Sequence, residues 1–179
     1  MAEKSREERR EAVIEVLNRA RAMELHAIVQ YMNHHYALDD MDYGELAGKM
    51  KLIAIDEMRH AEDFAERITE LDGDPTTDRA AKVQHGKPVE QIYPFDGGLE
   101  DDTIEKYNEF QETCRRAGDS VSAKLFEKII HEEQVHLNYF DDIGDHIDKL
   151  GPAFLAQKAG TPSDTGITIL GFVAQEGEE

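Results

Sequence analysis

Several residue types are scarce in this chain of 179 residues, and each shortage excludes a class of protein. The sequence has no tryptophan, five prolines and a single cysteine, Cys114. One cysteine excludes a disulfide framework and any metal site built from four thiolates. Few aromatic residues, with abundant alanine, glutamate, leucine and lysine at helical spacing, indicate an all-α protein. The length predicts a single domain over residues 1–179.

Basic residues and long apolar runs are also in short supply. Lysine and arginine number 20 against 39 acidic residues, which gives a formal net charge of −19. A nucleic-acid surface needs a basic face, so we expect no nucleic-acid partner. The N-terminus is charged and lacks an apolar signal core, and the longest nearly apolar run, Ile167 to Ala174, is too short to cross a membrane. We therefore expect a cytoplasmic protein.

Apolar residues recur at steps of three and four along four segments, which predicts a four-helix bundle over about residues 5–151. The first two helices are expected at about 5–39 and 42–72. Asp96 with the two glycines after it is expected to open the third helix, and Gly118 with Asp119 marks the turn into the fourth. The long connection between the second and third helices indicates a crossover that places these two helices parallel.

The C-terminal region, about residues 152–179, is expected to carry a short fifth helix. The apolar run from Ile167 to Val173 is the segment that suggests it. A closed four-helix core has no room for this run, so we expect it to pack against another chain.

The most informative motif is a pair of Glu-x-x-His sequences, Glu57 to His60 and Glu133 to His136. On a helix, residues three apart share one face, so each carboxylate lies beside its imidazole. A lone glutamate precedes each pair by 33 positions, Glu24 before Glu57 and Glu100 before Glu133. Two glutamates and two Glu-x-x-His pairs on four helices are the ligands of a carboxylate-bridged di-iron or di-manganese bundle.

A plainer explanation exists for each carboxylate taken alone, because a glutamate on an apolar stripe usually reaches to solvent or pairs with a base. Four carboxylates that converge on one core are different, since each buried charge costs several kcal/mol unless it is compensated. Two divalent metal ions would balance four negative charges. Iron or manganese suits such oxygen-rich ligation with one imidazole for each metal.

These motifs, with the sequence from Ile55 to Glu62, resemble those of the bacterioferritins, and the resemblance covers nearly the whole chain. It implies a ferritin-like bundle that assembles into a hollow 24-subunit shell from two-fold dimers. It implies a ferroxidase that oxidises Fe²⁺ with O₂ or H₂O₂ and stores a ferric mineral, with an electron-donor protein for iron release. Glu24 and His60 would bind one iron, Glu100 and His136 the other, Glu57 and Glu133 would bridge them, and Tyr31 would lie beside the centre.

Met58 lies about 100° around the helix from Glu57, so it faces away from the predicted centre. Taken alone it indicates an interface methionine. The resemblance implies that two copies meet across a dimer and bind one haem iron, so that one haem serves two chains. Leu52 stands where some relatives carry a histidine of an accessory inner-surface iron site, although Asp56 remains. The other six histidines show no such pattern, and surface or packing roles are expected for them: His26, His34, His35, His85, His131 and His146.

Three other classes stay open at this point. A di-iron peroxidase of the rubrerythrin type would carry a cysteine-rich module, which a lone Cys114 argues against. A non-enzymatic protective shell of the small stress-ferritin group builds its metal site between subunits and would not need ligands on four helices of one chain. Manganese catalase is a weaker third option.

Overall fold

The computed structural model describes residues 5–164 and 171–176, and the secondary structure of these residues is helical apart from one isolated bridge between Tyr43 and Thr161. The all-α prediction is confirmed. The helices are α1 (Arg6–Asp40), α2 (Gly44–Glu70), α3 (Val89–Ala117), α4 (Ser120–Leu150), α5 (Pro152–Lys158) and α6 (Phe172–Glu176).

Local sequence signals explain where two of the long helices begin. Ser5 caps α1: its hydroxyl accepts a hydrogen bond from the backbone of Glu8, whose carboxylate accepts one from the Ser5 backbone in return. Asp119 caps α4 by accepting hydrogen bonds from the backbone N–H groups of Val121 and Ser122. Such caps satisfy N–H groups that have no partner inside the helix.

The crossover between α2 and α3, residues 71–88, lies along α1. The Ala80 N–H donates to the Ala22 carbonyl at 2.8 Å, and the Gln84 N–H donates to the Gln30 side chain at the same distance. The connection therefore travels along the bundle before α3 begins. Helix α1 runs antiparallel to α2 and also antiparallel to α3. Helices α2 and α3 are therefore parallel, as predicted.

The start of α3 differs from the sequence expectation. Asp96 was expected to open the helix, but α3 begins at Val89 and includes Pro94. Gly97 is buried inside the helix, and a Cβ at this position would lie 3.3 Å from the Asp141 side chain of α4. The glycine therefore serves close packing between α3 and α4, and its position inside the helix makes the expected boundary wrong.

The interior consists of two apolar clusters with a polar layer between them. One cluster contains Val13, Leu17, Phe64 and Phe126, and the other contains Leu38, Met50, Ile53 and Phe140. The polar layer holds the buried glutamates and histidines of the two Glu-x-x-His motifs and of the lone glutamates.

The C-terminal region differs partly from its prediction. Residues 167–170 of the expected fifth helix lie outside the described residues, whereas Phe172 opens the short helix α6. Phe172 is only 2% exposed, and its ring centroid lies 4.9 Å from that of Tyr139 on α4 of the same chain. The expectation that this segment would find its partner only in another chain is therefore wrong for Phe172. A groove between α2 and α4 accepts the ring. Across residues 5–164 and 171–176, no helix is long and apolar enough to cross a membrane.

Candidate metal centre

The four long helices bring all six predicted ligand residues to one level of the bundle. Each residue is at most 2% exposed, although all are ionisable. The lone glutamates come from α1 and α3, and the Glu-x-x-His pairs come from α2 and α4. The residues are Glu24, Glu57, His60, Glu100, Glu133 and His136.

Their donor atoms form two overlapping groups. In each group the donor atoms lie within 4.8 Å of one another, as ligands of a single metal ion would. Glu57 and Glu133 belong to both groups, so each can bridge two ions. The first group adds Glu24 and His60, and the second adds Glu100 and His136.

Two buried oxygen atoms support this interpretation. Glu57 Oε1 and Glu133 Oε1 accept no hydrogen bond from the described residues. The nearest imidazole to Glu57 Oε1 is that of His136, whose Nδ1 lies 3.1 Å away but outside hydrogen-bond geometry. A buried carboxylate oxygen without a donor is costly, and a cation removes the cost. These two oxygens belong to Glu57 and Glu133, the glutamates common to both donor groups. Cations bridged by these glutamates would lie beside the two oxygens.

The carboxylates compete for charge. Burial raises the pKa of Glu24 and Glu100 well above the ordinary value, and the nearby charges of Glu133 and Glu57 raise it further. Burial also acts to raise the pKa of Glu57, but interactions with His136 outweigh it and hold that pKa below its usual range. Without metal, the site therefore reduces the repulsion between its carboxylates by holding protons on the outer glutamates, Glu24 and Glu100.

The two imidazoles of the centre are held in their protonated form by the carboxylates. Burial acts to lower the pKa of His60 and His136, but the facing carboxylates outweigh it and hold both well above the usual value. Glu133 is the main carboxylate acting on His60, and Glu57 acts on His136. Metal ions would replace these protons, because imidazole binds metal only in its neutral form.

Each imidazole also has a carboxylate at its second nitrogen. Nε2 of His60 lies 2.9 Å from Glu132, and Nε2 of His136 lies 3.5 Å from Asp56. The Nδ1 atoms of both rings point towards the shared glutamates. Such a carboxylate fixes the orientation of a metal-binding imidazole and leaves the other nitrogen free for the metal.

Two tyrosines complete the centre. The hydroxyl of Tyr31 donates a 2.7 Å hydrogen bond to Glu100, which places Tyr31 where it was predicted, beside the centre. The hydroxyl of Tyr107 donates to Glu24 in the same way. Both tyrosines are fully buried. Each lone glutamate is therefore held by a phenol from the facing helix.

The sequence predictions place none of Asp56, Tyr107 and Glu132 at this centre, and they mention Asp56 only for the accessory inner-surface iron site. A signal for them was present, since the repeat of the ligands extends to their neighbours. Five residues of the centre in the first half of the chain each lie 76 positions before a counterpart in the second half. The pairs are Glu24 and Glu100, Tyr31 and Tyr107, Asp56 and Glu132, Glu57 and Glu133, and His60 and His136.

The other predicted residues lie apart from the centre. Met58 is 54% exposed on the outer face of α2, as its helical position predicts. Leu52 is buried. His34 pairs with the buried Asp96 at 2.8 Å, so its role is a packing one, as expected. Of the remaining histidines, His26 and His35 are buried, whereas His85, His131 and His146 are exposed.

The bundle with its crossover and paired Glu-x-x-His motifs defines the class of ferritin-like proteins. A family model described as a ferritin-like domain matches residues 14–150. A bacterioferritin of Desulfovibrio desulfuricans is 63% identical over 169 residues, which cover 94% of each chain. The chain belongs to the bacterioferritin family.

Solved structures agree with this assignment. The crystal structure of the Desulfovibrio desulfuricans bacterioferritin, which describes its diiron site in different catalytic states, matches with a TM-score of 0.91 and 62% identity. The match covers 95% of this chain and 99% of that one. The bacterioferritin of Rhodobacter capsulatus, solved with a metal-free dinuclear site and with haem iron in a crystallographic special position, matches with a TM-score of 0.80 and 32% identity. There the match covers 86% of this chain and 96% of that one.

Proposed function

We propose that this protein oxidises Fe²⁺ at the centre between its four helices and stores the product as a ferric mineral inside a shell of identical chains. The observation that carries the proposal is the pair of overlapping donor groups that share Glu57 and Glu133. Family membership supports it, since the relative from Desulfovibrio desulfuricans has a diiron site. Bacterioferritin, and not rubrerythrin, stress ferritin or manganese catalase, is the family to which the chain belongs.

The residues of the centre would hold two Fe²⁺ ions as substrate. The two electrons that these ions lose would reduce O₂ to H₂O₂, or H₂O₂ to two water molecules, with two protons taken up in either case. Four carboxylates carry −4, which balances the +4 of two Fe²⁺ ions. Glu24 and His60 would bind one ion, Glu100 and His136 would bind the other, and Glu57 and Glu133 would bridge them. Six protein residues leave positions open for the oxidant on both ions.

The surrounding residues position these ligands. Asp56 and Glu132 accept from the outer nitrogens of the imidazoles, so the inner nitrogens stay directed at iron. Tyr31 and Tyr107 hold the outer glutamates. Iron binding would release protons from the imidazoles and from Glu24 and Glu100, and the phenols hydrogen-bonded to these two glutamates would keep the carboxylates in place.

A haem shared by two chains is the second cofactor of the proposal. The thioether of Met58 is exposed and can meet its own copy across a two-fold axis, where both sulfurs can bind one haem iron. The Rhodobacter capsulatus relative has its haem iron on a crystallographic special position, that is, on a symmetry element. One haem would then serve every two chains, and it would supply a redox centre for electrons that a donor protein delivers to the stored iron.

Replacement of a bridging glutamate tests the iron chemistry. Glu57→Ala should leave the helical content unchanged and abolish rapid Fe²⁺ oxidation, followed by the ferric absorbance after mixing with Fe²⁺. Glu62→Ala, on the exposed face of the same helix, is the matched control and should oxidise iron at the parent rate.

Equal oxidation rates for the parent and the Glu57→Ala variant would rule out this centre as the site of the reaction. Direct metal analysis gives a second test that does not depend on catalysis. Two equivalents of Co²⁺ per chain should bind the parent, and the Glu57→Ala variant should bind fewer.

A further inference from the structure

The C-terminal segment Gly171–Val173 is hydrogen-bonded to Asp56, the carboxylate that lies at the second nitrogen of His136. The backbone N–H of Val173 donates a 2.9 Å hydrogen bond to Oδ2 of Asp56, the same oxygen that faces Nε2 of His136. This N–H lies in the first turn of α6, where the helix itself supplies no acceptor. Asp56 thus caps α6 and orients His136 with one oxygen.

The contact between the segment and Asp56 is close enough to require glycine. A Cβ on residue 171 would overlap the Asp56 carboxylate, so any side chain there forces the carboxylate or the backbone to move. By contrast, a Cβ on Gly98, in α3, would meet nothing within 4 Å. Gly171 therefore lets the chain lie directly on Asp56.

Phe172 covers the same side of the centre. Its ring centroid lies 6.2 Å from that of His136 and 4.9 Å from that of Tyr139, and the ammonium group of Lys49 lies 5.0 Å from it on the ring face. The side chain is almost completely buried. An apolar ring thus closes the bundle next to His136.

The His60 side of the centre is built differently, although its residues repeat those of the His136 side. Its second carboxylate, Glu132, is 23% exposed, against 5% for Asp56. Apart from His60, the nearest basic side chain to Glu132 is Lys128, at 3.9 Å, which is itself 57% exposed. The repeated sequence therefore gives one open side and one covered side.

We propose that Gly171–Val173 is a strap that makes the two metal positions inequivalent. By holding Asp56 against His136 and covering that side, the strap retains metal at the His136 position, whereas metal at the His60 position exchanges past Glu132. The inference rests on the proposed function, since it requires that the centre bind two metal ions. It assigns a role to a segment outside the four-helix bundle.

The test uses Co²⁺ as the divalent probe, because carboxylate and imidazole ligands suit divalent first-row metals. The full-length protein is loaded with two equivalents per chain, an excess of EDTA is added, and the loss of Co²⁺ absorbance is followed. The parent should lose one equivalent rapidly and the other slowly. Gly171→Ala and Val173→Pro should accelerate the slow phase roughly tenfold or more, the usual effect of disturbing a carboxylate behind a metal-binding imidazole.

Two matched variants separate the strap from general damage. Gly98→Ala adds the same methyl group where space is open, and Val173→Ala keeps the backbone N–H that Val173→Pro removes; both should keep the slow phase. Melting temperatures within a few degrees of the parent value would show that the variants fold. Gly171→Ala adds a side chain against Asp56, whereas Val173→Pro removes the hydrogen bond to it.

The outcomes divide cleanly. Two equivalents that leave the parent in one phase, or a slow phase unchanged in both Gly171→Ala and Val173→Pro, would overturn the strap while leaving the proposed function intact. If the parent binds no Co²⁺ during loading, before EDTA is added, the proposed function and the strap are overturned together.

Discussion

At the scale of single residues, the two buried phenols are as closely tied to the centre as the ligands themselves. Tyr31 donates to Glu100, and Tyr107 donates to Glu24. Burial, followed by the adjacent glutamate, raises the pKa of each phenol well above its usual value. Both tyrosines therefore remain protonated donors throughout the physiological pH range.

Tyr31→Phe should lower the stability of the metal-free protein. The change removes the donor to Glu100 and leaves a buried carboxyl oxygen without its partner, which costs about 1–3 kcal/mol. Thermal unfolding of the metal-free protein measures the loss. Tyr36→Phe removes a hydroxyl from a side chain that is 63% exposed, and it should leave the melting temperature unchanged. Equal melting temperatures for both variants would show that the Tyr31 hydrogen bond contributes nothing.

Met58→Leu should abolish haem binding and leave Fe²⁺ oxidation intact, because leucine has similar bulk and no sulfur for iron. Porphyrin content per chain, measured after extraction, should fall from one half to nearly zero. Met41→Leu, at another exposed methionine, is the control and should retain the parent's haem. Haem retained at one half in the Met58→Leu variant would show that a different residue holds it.

The six proposed ligands could be predicted from sequence because helical periodicity alone places them on inward faces. Asp56 and Glu132 could not be assigned in the same way. Each precedes the bridging glutamate of its own helix but contacts the histidine of the other Glu-x-x-His pair. Their partners depend on how α2 and α4 pack across the bundle, and residue spacing within one helix carries no information on that.

At the scale of whole helices, Asp119 both begins α4 and links it to α2. Asp119 caps α4 and also binds Arg67 of α2 at 2.9 Å. Burial acts to raise the pKa of Asp119, but the hydrogen bonds from Ser122 and the contact with Arg67 outweigh it and hold that pKa below the usual value. The charged carboxylate therefore stabilises the start of α4.

Asp119→Ala should destabilise the protein by about 1–2 kcal/mol at neutral pH, the usual cost of losing an N-cap. Because the folded pKa is lowered, this stability is fully present above the unfolded pKa and is lost as the pH falls through the folded one. The difference in melting temperature between the parent and the variant should therefore shrink under strongly acidic conditions. Asp142→Ala, at an exposed position of the same helix, should show no comparable loss. A difference that stays constant with pH would contradict the assigned role of the charge.

The positions of α1, α2 and α4 follow closely from the periodicity of their sequences, whereas the start of α3 does not. Proline and two adjacent glycines normally mark a helix end, so Pro94 and Gly97 suggested a boundary. In the structure, tertiary packing against Asp141 and Phe140 uses the missing side chain of Gly97 and keeps the helix intact. A contact between distant segments overrides the local preference there.

At the scale of the whole molecule, assembly is the main prediction. Free of mineral, the protein should form a particle of 24 chains of 20.3 kDa each, measured by sedimentation in physiological salt. A formal charge of −19 per chain would then be spread over an outer surface and an inner surface that attracts Fe²⁺. A native mass of one or two chains would contradict the shell. The expectation of a cytoplasmic protein stays a prediction.

The 76-residue repeat has a consequence for how the molecule is held together. The hairpin of α1 and α2 and the hairpin of α3 and α4 each supply one glutamate, one Glu-x-x-His pair and one tyrosine. Neither hairpin encloses a metal position alone, because Glu57 and Glu133, from different hairpins, belong to both donor groups. Bound metal would therefore join two halves of one chain, and each half carries nearly the same set of donor residues as the other. Two copies of a single hairpin would present the same set of donors as the complete bundle.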